Sequence, residues 1–266
     1  MLYKGFTGIA IVTLPSSVKF GFRFSSADFS LVQGLNVYLP SYGGQQERRI
    51  ISPTTGDITG RISTVVGENL AQRFYDLVYL APELTVTLYY YSGKYRKFGG
   101  TKAESLTFDC KAGELVTASF DFLSLTELQD TDSIEYNLVK SFRTDTQKLL
   151  TWDKTGMSGV YSGDKISFSY TIKNNLVTIK TAKSLLPRKL NKGIQEVTGN
   201  LVIVDAVKPP RSDPSIENAV FEDDATFYVD DWTVNHRIAA HWSFRTPLTP
   251  ETVLTTLEWT RVDQLT

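Results

Sequence analysis

One cysteine, Cys110, stands in 266 residues, so neither a disulfide within the chain nor a thiolate metal cluster is open to it. Folding in a reducing cytosol is the simplest expectation. Histidine is nearly as scarce: His236 and His241 lie five apart in a segment that alternates like a strand. Odd spacing on a strand sends them to opposite faces, so a shared metal is not expected. Charge of one sign is missing as well. The 28 Lys+Arg and 29 Asp+Glu give a net charge of −1, and no basic tract offers a grip on phosphates. Tight nucleic-acid binding is therefore not expected. No run approaches the roughly 20 apolar residues that span a bilayer, so no membrane anchor is expected. The opening stretch, broken by Gly8 and stopped by Pro15, reads as an early strand rather than a signal peptide. Phosphate loops and nucleophile elbows are lacking too: "KFGGTK" has no Gly-Lys-Ser/Thr ending. Asp223-Asp224 and Asp230-Asp231 invite calcium or glycosidase chemistry, but adjacent residues point apart and no Asp-x-Asp-x-Asp-Gly loop surrounds them. No catalytic residue, metal ligand or cofactor is nominated, and an enzyme is not expected.

What is present is mostly alternation. Aromatics make up 12% of the chain, a composition that suits strands. In "SVKFGFRFSS", Val18, Phe20, Phe22 and Phe24 share one face. "LTVTLYYYSGKYRKF" predicts a hairpin around Ser92-Gly93, and "ESLTFDCKAGELVTASFDFLSL" a pair joined at Lys111-Ala112-Gly113. Phe168 and Tyr170 repeat the pattern in "KISFSYTI". One segment differs: "ENLAQRFYDLVYLA" places Leu70, Phe74, Leu77 and Val78 at helical spacing, with Pro82 to end it. "DPSIENAVFED" predicts a weaker second helix. Leu39 to Gly56 is a long connection or an extended hairpin, and the polar stretch 128–148 is a candidate boundary.

The chain also repeats itself. "DITGRISTVV" begins at Asp57 and "EVTGNLVIVD" at Glu196; their glycines, Gly60 and Gly199, lie 139 residues apart (199 − 60). "GELVTASFDF" and "PETVLTTLEW" follow in the same order, with Phe122 matching Trp259 at an offset of 137 (259 − 122). An aromatic strand precedes each Thr-Gly. The pattern predicts a mainly β fold of two tandem domains. The first is placed at residues 1–130 and the second at 131–266.

Two blocks, Tyr89 to Thr126 and Ile166 to Asp205, resemble phage tail tube proteins in the order of their elements. The first is a hairpin, a polar turn and a Gly-Glu-hydrophobic strand; the second is an aromatic strand, a long loop and a "TG" strand. The resemblance implies that the two tandem domains are each a small β-sandwich or barrel with a flanking helix, in a virion structural protein that self-associates into stacked rings forming a channel for DNA passage. A duplicated chain would close as a trimer with pseudo-six-fold symmetry, or the ring would be a hexamer. Implied partners are other tail proteins such as the tape measure, baseplate or sheath, and the implied location is the virion tail after synthesis in the host cytoplasm. Thr117, Ser119, Asp121, Thr256 and Glu258 are the candidate lumen-facing residues; a simple solvated sheet face is the other account of them. Gln45, Gln46, Glu47, Arg48 and Arg49 are the candidate ring-to-ring loop. An adaptor ring at the baseplate or tube terminus is the alternative within this class. A carbohydrate-binding β-sandwich is the alternative outside it, resting on Trp152, Trp232, Trp242 and Trp259 as stacking faces, Trp232 above all.

Overall fold

The alternating segments form strands, and the one helical period forms a helix. The computed structural model describes residues 7–32, 35–38, 50–53, 56–90, 94–128, 148–159, 164–180, 186–205, 220–244 and 253–262. The strands of the N-terminal half are β1 (Gly8–Thr13), β2 (Lys19–Phe24), β3 (Ser26–Val32), β4 (Leu35–Tyr38), β5 (Ile50–Pro53), β6 (Asp57–Val65), β7 (Leu84–Tyr90), β8 (Tyr95–Lys111), β9 (Thr117–Ser124) and β10 (Thr126–Leu128). Helix α1 (Ala71–Tyr79) lies between β6 and β7. The C-terminal half contributes β11 (Thr155–Ser158), β12 (Asp164–Lys173), β13 (Val177–Ile179), β14 (Lys189–Asn191), β15 (Glu196–Asp205), β16 (Phe221–Val229), β17 (Trp232–Phe244) and β18 (Val253–Arg261). The fold is mainly β, and all pairings are antiparallel.

β8 holds the architecture together. Its first part pairs with β7 and β10, and its second part with β9 and, on the other side, β12. One layer therefore runs β2-β1-β7-β8-β10. The other runs β3-β6-β9-β8-β12-β15-β18-β17-β16-β11 and joins both halves of the chain in a single sheet. In the N-terminal half the layers face each other through Phe29 and Phe98, rings 4.1 Å apart, and through Phe22 and Phe120 at 5.9 Å. α1 closes this core with Phe74, whose ring lies 4.9 Å from both Phe22 and Phe120. In the C-terminal half Tyr170, Phe227, Trp232 and Trp259 pack together. A single hydrophobic cluster runs through both.

Most predicted elements appear with small changes. The opening stretch is a strand, β1. β8 and β9 are joined at Lys111-Ala112-Gly113, where Gly113 takes φ 80°, a left-handed conformation that suits glycine. Phe20, Phe22 and Phe24 are buried as predicted, but Val18 is 56% exposed because it precedes β2. The helix is shorter than predicted and is followed by Ala81 in the left-handed region and Pro82. Of the connection predicted from Leu39, residues 39–49 lie outside the described residues; β4 and β5 on either side of them pair with each other as the arms of a hairpin. Of the second predicted helix, residues 213–219 lie outside the described residues, and Phe221–Asp223 begin β16 instead. There the buried residues Ala225, Phe227 and Val229 follow a two-residue period. α1 is the one α-helix among the described residues.

Candidate functional site

The two Thr-Gly strands have matching neighbours. In the N-terminal half, cross-strand partners form the row Phe29–Gly60–Phe122–Ala103 on β3, β6, β9 and β8. In the C-terminal half the row is Tyr170–Gly199–Trp259–Ala240 on β12, β15, β18 and β17. A Cβ on Gly60 would overlap the Phe29 ring; one on Gly199 would overlap the Trp259 ring and the Ser169 carbonyl. The glycines are there so that an aromatic ring can lie across the strand.

The opposite face of this sheet is polar. One row of cross-strand partners reads Ser26–Ser63–Ser119–Thr107–Thr171–Thr198–Thr260, hydroxyls on seven successive strands. Ser63 and Ser119 are hydrogen-bonded at 3.1 Å, and Thr107 and Thr171 at 2.9 Å. A neighbouring row carries Asp28–Arg61–Asp121–Ser105–Lys173. Arg61 donates to Asp121 through Nε (2.7 Å) and Nη2 (3.1 Å), and Ser105 donates to the same carboxylate at 2.8 Å. Partial burial alone would raise the Asp121 pKa; the hydrogen bonds from Arg61 and Ser105 and the charges of Arg61 and Lys173 hold it below the usual carboxylate value. These rows bound a hollow of about 530 Å³ that takes in residues of both halves, from Asp28 to Lys173.

Thr117, Ser119 and Asp121 all lie on this polar face of β9: Thr117 is exposed, and the other two are half-buried. Glu258 is on the same face of β18 and exposed, 3.5 Å from His241 Nε2. Thr256 shares that face by register but is only 5% exposed. Gln45, Gln46, Glu47, Arg48 and Arg49 lie outside the described residues, between β4 and β5. The histidines do face opposite ways: His236 is buried with Nε2 2.9 Å from the Tyr170 hydroxyl, while His241 is half-buried on the polar side. Among the described residues no group of three His, Cys, Asp or Glu side chains is placed to hold a metal ion. Trp232 offers no stacking face, being 1% exposed between Tyr75, Phe108 and Tyr170. Trp242 and Trp259 are buried too. Asp223 and Asp224 sit in β16 and Asp230 in the turn that follows, where its carboxylate accepts the Asn69 N–H at 3.1 Å.

The joint between the halves is the feature that sequence reasoning missed. β12 and β8 pair from Ser167↔Lys111 to Lys173↔Ser105. α1 packs under the joint, touching β8, β12 and β17. Its C-terminal carbonyls are satisfied from the C-terminal half: Asn174 Nδ2 donates to Val78 O at 2.6 Å, and Lys192 Nζ to Tyr79 O at 2.5 Å. Burial lowers the Lys192 pKa. The profile of the family described as "Phage tail tube protein" matches residues 70–208, just over half of the chain, from the start of α1 past β15. The chain belongs to the phage tail tube family. Its match takes in the β8–β12 joint, so the family likeness straddles the two halves and is confined to neither. A tail tube protein is a structural part of the virion tail, which self-associates and meets other tail components. No curated protein matches the chain significantly.

Proposed function

We propose that the chain is a tail tube subunit made of two tandem tube-type units, residues 1–130 and 131–266, with 128–148 as the boundary region. Three chains supply six units and close a ring of pseudo-six-fold symmetry. Rings stack, and the polar face of the long sheet lines the channel through which DNA passes. The observation that carries this reading is the repeated row, Phe29–Gly60–Phe122–Ala103 and Tyr170–Gly199–Trp259–Ala240, standing twice in one continuous sheet. Two like units side by side are a segment of a longer periodic sheet, and a closed ring leaves no strand edge unpaired.

The chemistry of the face supports the same reading. Hydroxyls exchange hydrogen bonds with water, Asp28, Arg61, Asp121 and Lys173 alternate in sign along their row, and Asp109 and Glu258 add negative charge, so the face presents no basic patch to hold the phosphates of passing DNA. The hairpins β4–β5 and β13–β14 leave the sheet at corresponding places, after β3 and after β12, and serve as the ring-to-ring contacts. Gln45–Arg49 lie between the arms of the first. Negative-stain microscopy of the purified full-length chain, with a native mass measurement, tests this. Rings or stacked tubes whose ring mass is three times that of the chain are expected; protein that stays monomeric at high concentration would refute it.

A further inference from the structure

We infer that β3 of one chain pairs with the end of β17 of a second copy, in the register that β12 and β8 use within one chain. The inference rests on the ring proposed above and assigns its seam. The matching rows equate β3 with β12, through Phe29 and Tyr170, and β17 with β8, through Ala240 and Ala103. Within the chain, β12 and β8 are each other's neighbours. Their counterparts lack that neighbour: among the described residues β3 pairs only with β6, and β17 beyond Ala240 pairs only with β18.

Exposure follows the same division. Ile172, two residues beyond Tyr170 and inside the joint, is 0% exposed. Leu31, two residues beyond Phe29 at the corresponding place, is 48% exposed. A leucine on the core side of an edge strand is what an incoming strand would cover. The joint pairs Tyr170↔Phe108, Thr171↔Thr107, Ile172↔Leu106 and Lys173↔Ser105. Transposed, with one residue allowed for the bulge at Glu104, this places Phe29 opposite Phe244, Ser30 opposite Ser243, Leu31 opposite Trp242 and Val32 opposite His241 of the second copy. No like charges meet in these four pairs. Arg96 Nη1 donates to the Phe29 carbonyl at 2.9 Å; a carbonyl accepts two hydrogen bonds, so this contact is compatible with a docked strand. Because the seam joins two different edges it is head-to-tail, and copying the rotation of the internal joint makes six equal steps from three chains.

Cysteine cross-linking of the full-length chain tests the register. Thr107 and Thr171, with hydroxyls 2.9 Å apart, give the intrachain control T107C/T171C. The seam pair is S30C/S243C in one chain; native Cys110 is 3% exposed and its thiol is pushed up by burial, so it stays out of the reaction. After mild oxidation the seam variant should give linked species of two and three chains and none larger, while S30C or S243C alone gives none. A control that locks beside a seam pair that does not, with rings visible by microscopy, overturns the register and leaves the tube reading standing. A ladder beyond three chains overturns closure by three. Absence of rings from the wild-type chain overturns the tube reading itself. As an independent check, L31K should raise the concentration needed for ring formation on the order of tenfold or more, while leaving the monomer's melting temperature nearly unchanged. Rings of L31K at the wild-type concentration would count against the seam.

Discussion

Gly60 and Gly199 occupy the same place in their rows, yet alanine should affect them unequally. A Cβ at Gly199 meets the Ser169 backbone carbonyl as well as the Trp259 ring, in a strand paired on both sides. One at Gly60 has as its nearest obstacle the Phe29 ring, carried by β3, which among the described residues is paired on one side only. G199A is therefore expected to cost about 2–3 kcal/mol, the upper part of the range for overpacking, and G60A about 1 kcal/mol; urea titration of both variants measures the difference. Asp121 contributes on the polar face. Its folded pKa lies below the unfolded value, so its stabilisation is present above the unfolded pKa and is lost as pH falls through the folded one. Arg61 and Asp121 are 68% and 40% exposed, which limits the pair to about 0.2–1 kcal/mol. D121N should lower the melting temperature slightly at neutral pH and converge with the wild type in acid. Single residues were the most legible part of the sequence. The buried aromatics follow from alternation alone, and so does the opposed facing of the two histidines. Trp232 misled because a turn-flanked "DDWT" reads as surface, while the ring is drawn under α1 by Tyr75.

At the scale of elements, α1 is tied to the C-terminal half by a buried polar contact through Asn174. Asn174 is 0% exposed; its amide donates to Val78 O and Ala103 O, and its Oδ1 accepts from Gln195 at 3.0 Å. Removing one buried partner leaves groups unsatisfied at about 1–3 kcal/mol each, so N174A should destabilise the chain by about 2–4 kcal/mol in urea unfolding. Tyr75, on the same helix, has its pKa pushed up to about 12, first by burial and then by Tyr79 beside it. The proton is held more tightly in the folded chain. Its contribution is therefore complete below the unfolded value of about 10 and disappears between there and about 12. Y75F should flatten the loss of stability over that interval in a pH series. Helix α1 was legible from its period, and β8 and β9 from their turn. The short β13–β14 hairpin was not, since strands of three residues carry no measurable alternation. Nor were the β8–β12 joint and the row of seven hydroxyls, which join residues far apart in sequence and leave no local trace.

For the whole molecule, one sheet and one hydrophobic cluster cross the middle of the chain, with Trp232 packed against both Tyr75 and Phe108. The halves are expected to unfold together. Tryptophan fluorescence, near-UV and far-UV circular dichroism should give coincident transitions, and two separated steps would contradict the shared core. The long strand β8 has a consequence for the order of events at the ribosome. β8 ends at Lys111 and its neighbour β12 begins at Asp164. At about 5–20 residues per second, those intervening residues take about 3–10 s to make. Hairpins form in about 1–10 μs, so β8 and β9 are paired long before β12 exists. For those seconds the nascent half-chain carries a naked strand edge shaped for a partner that has not yet been translated. On a crowded polysome, a neighbouring chain's already finished β12 competes for that place.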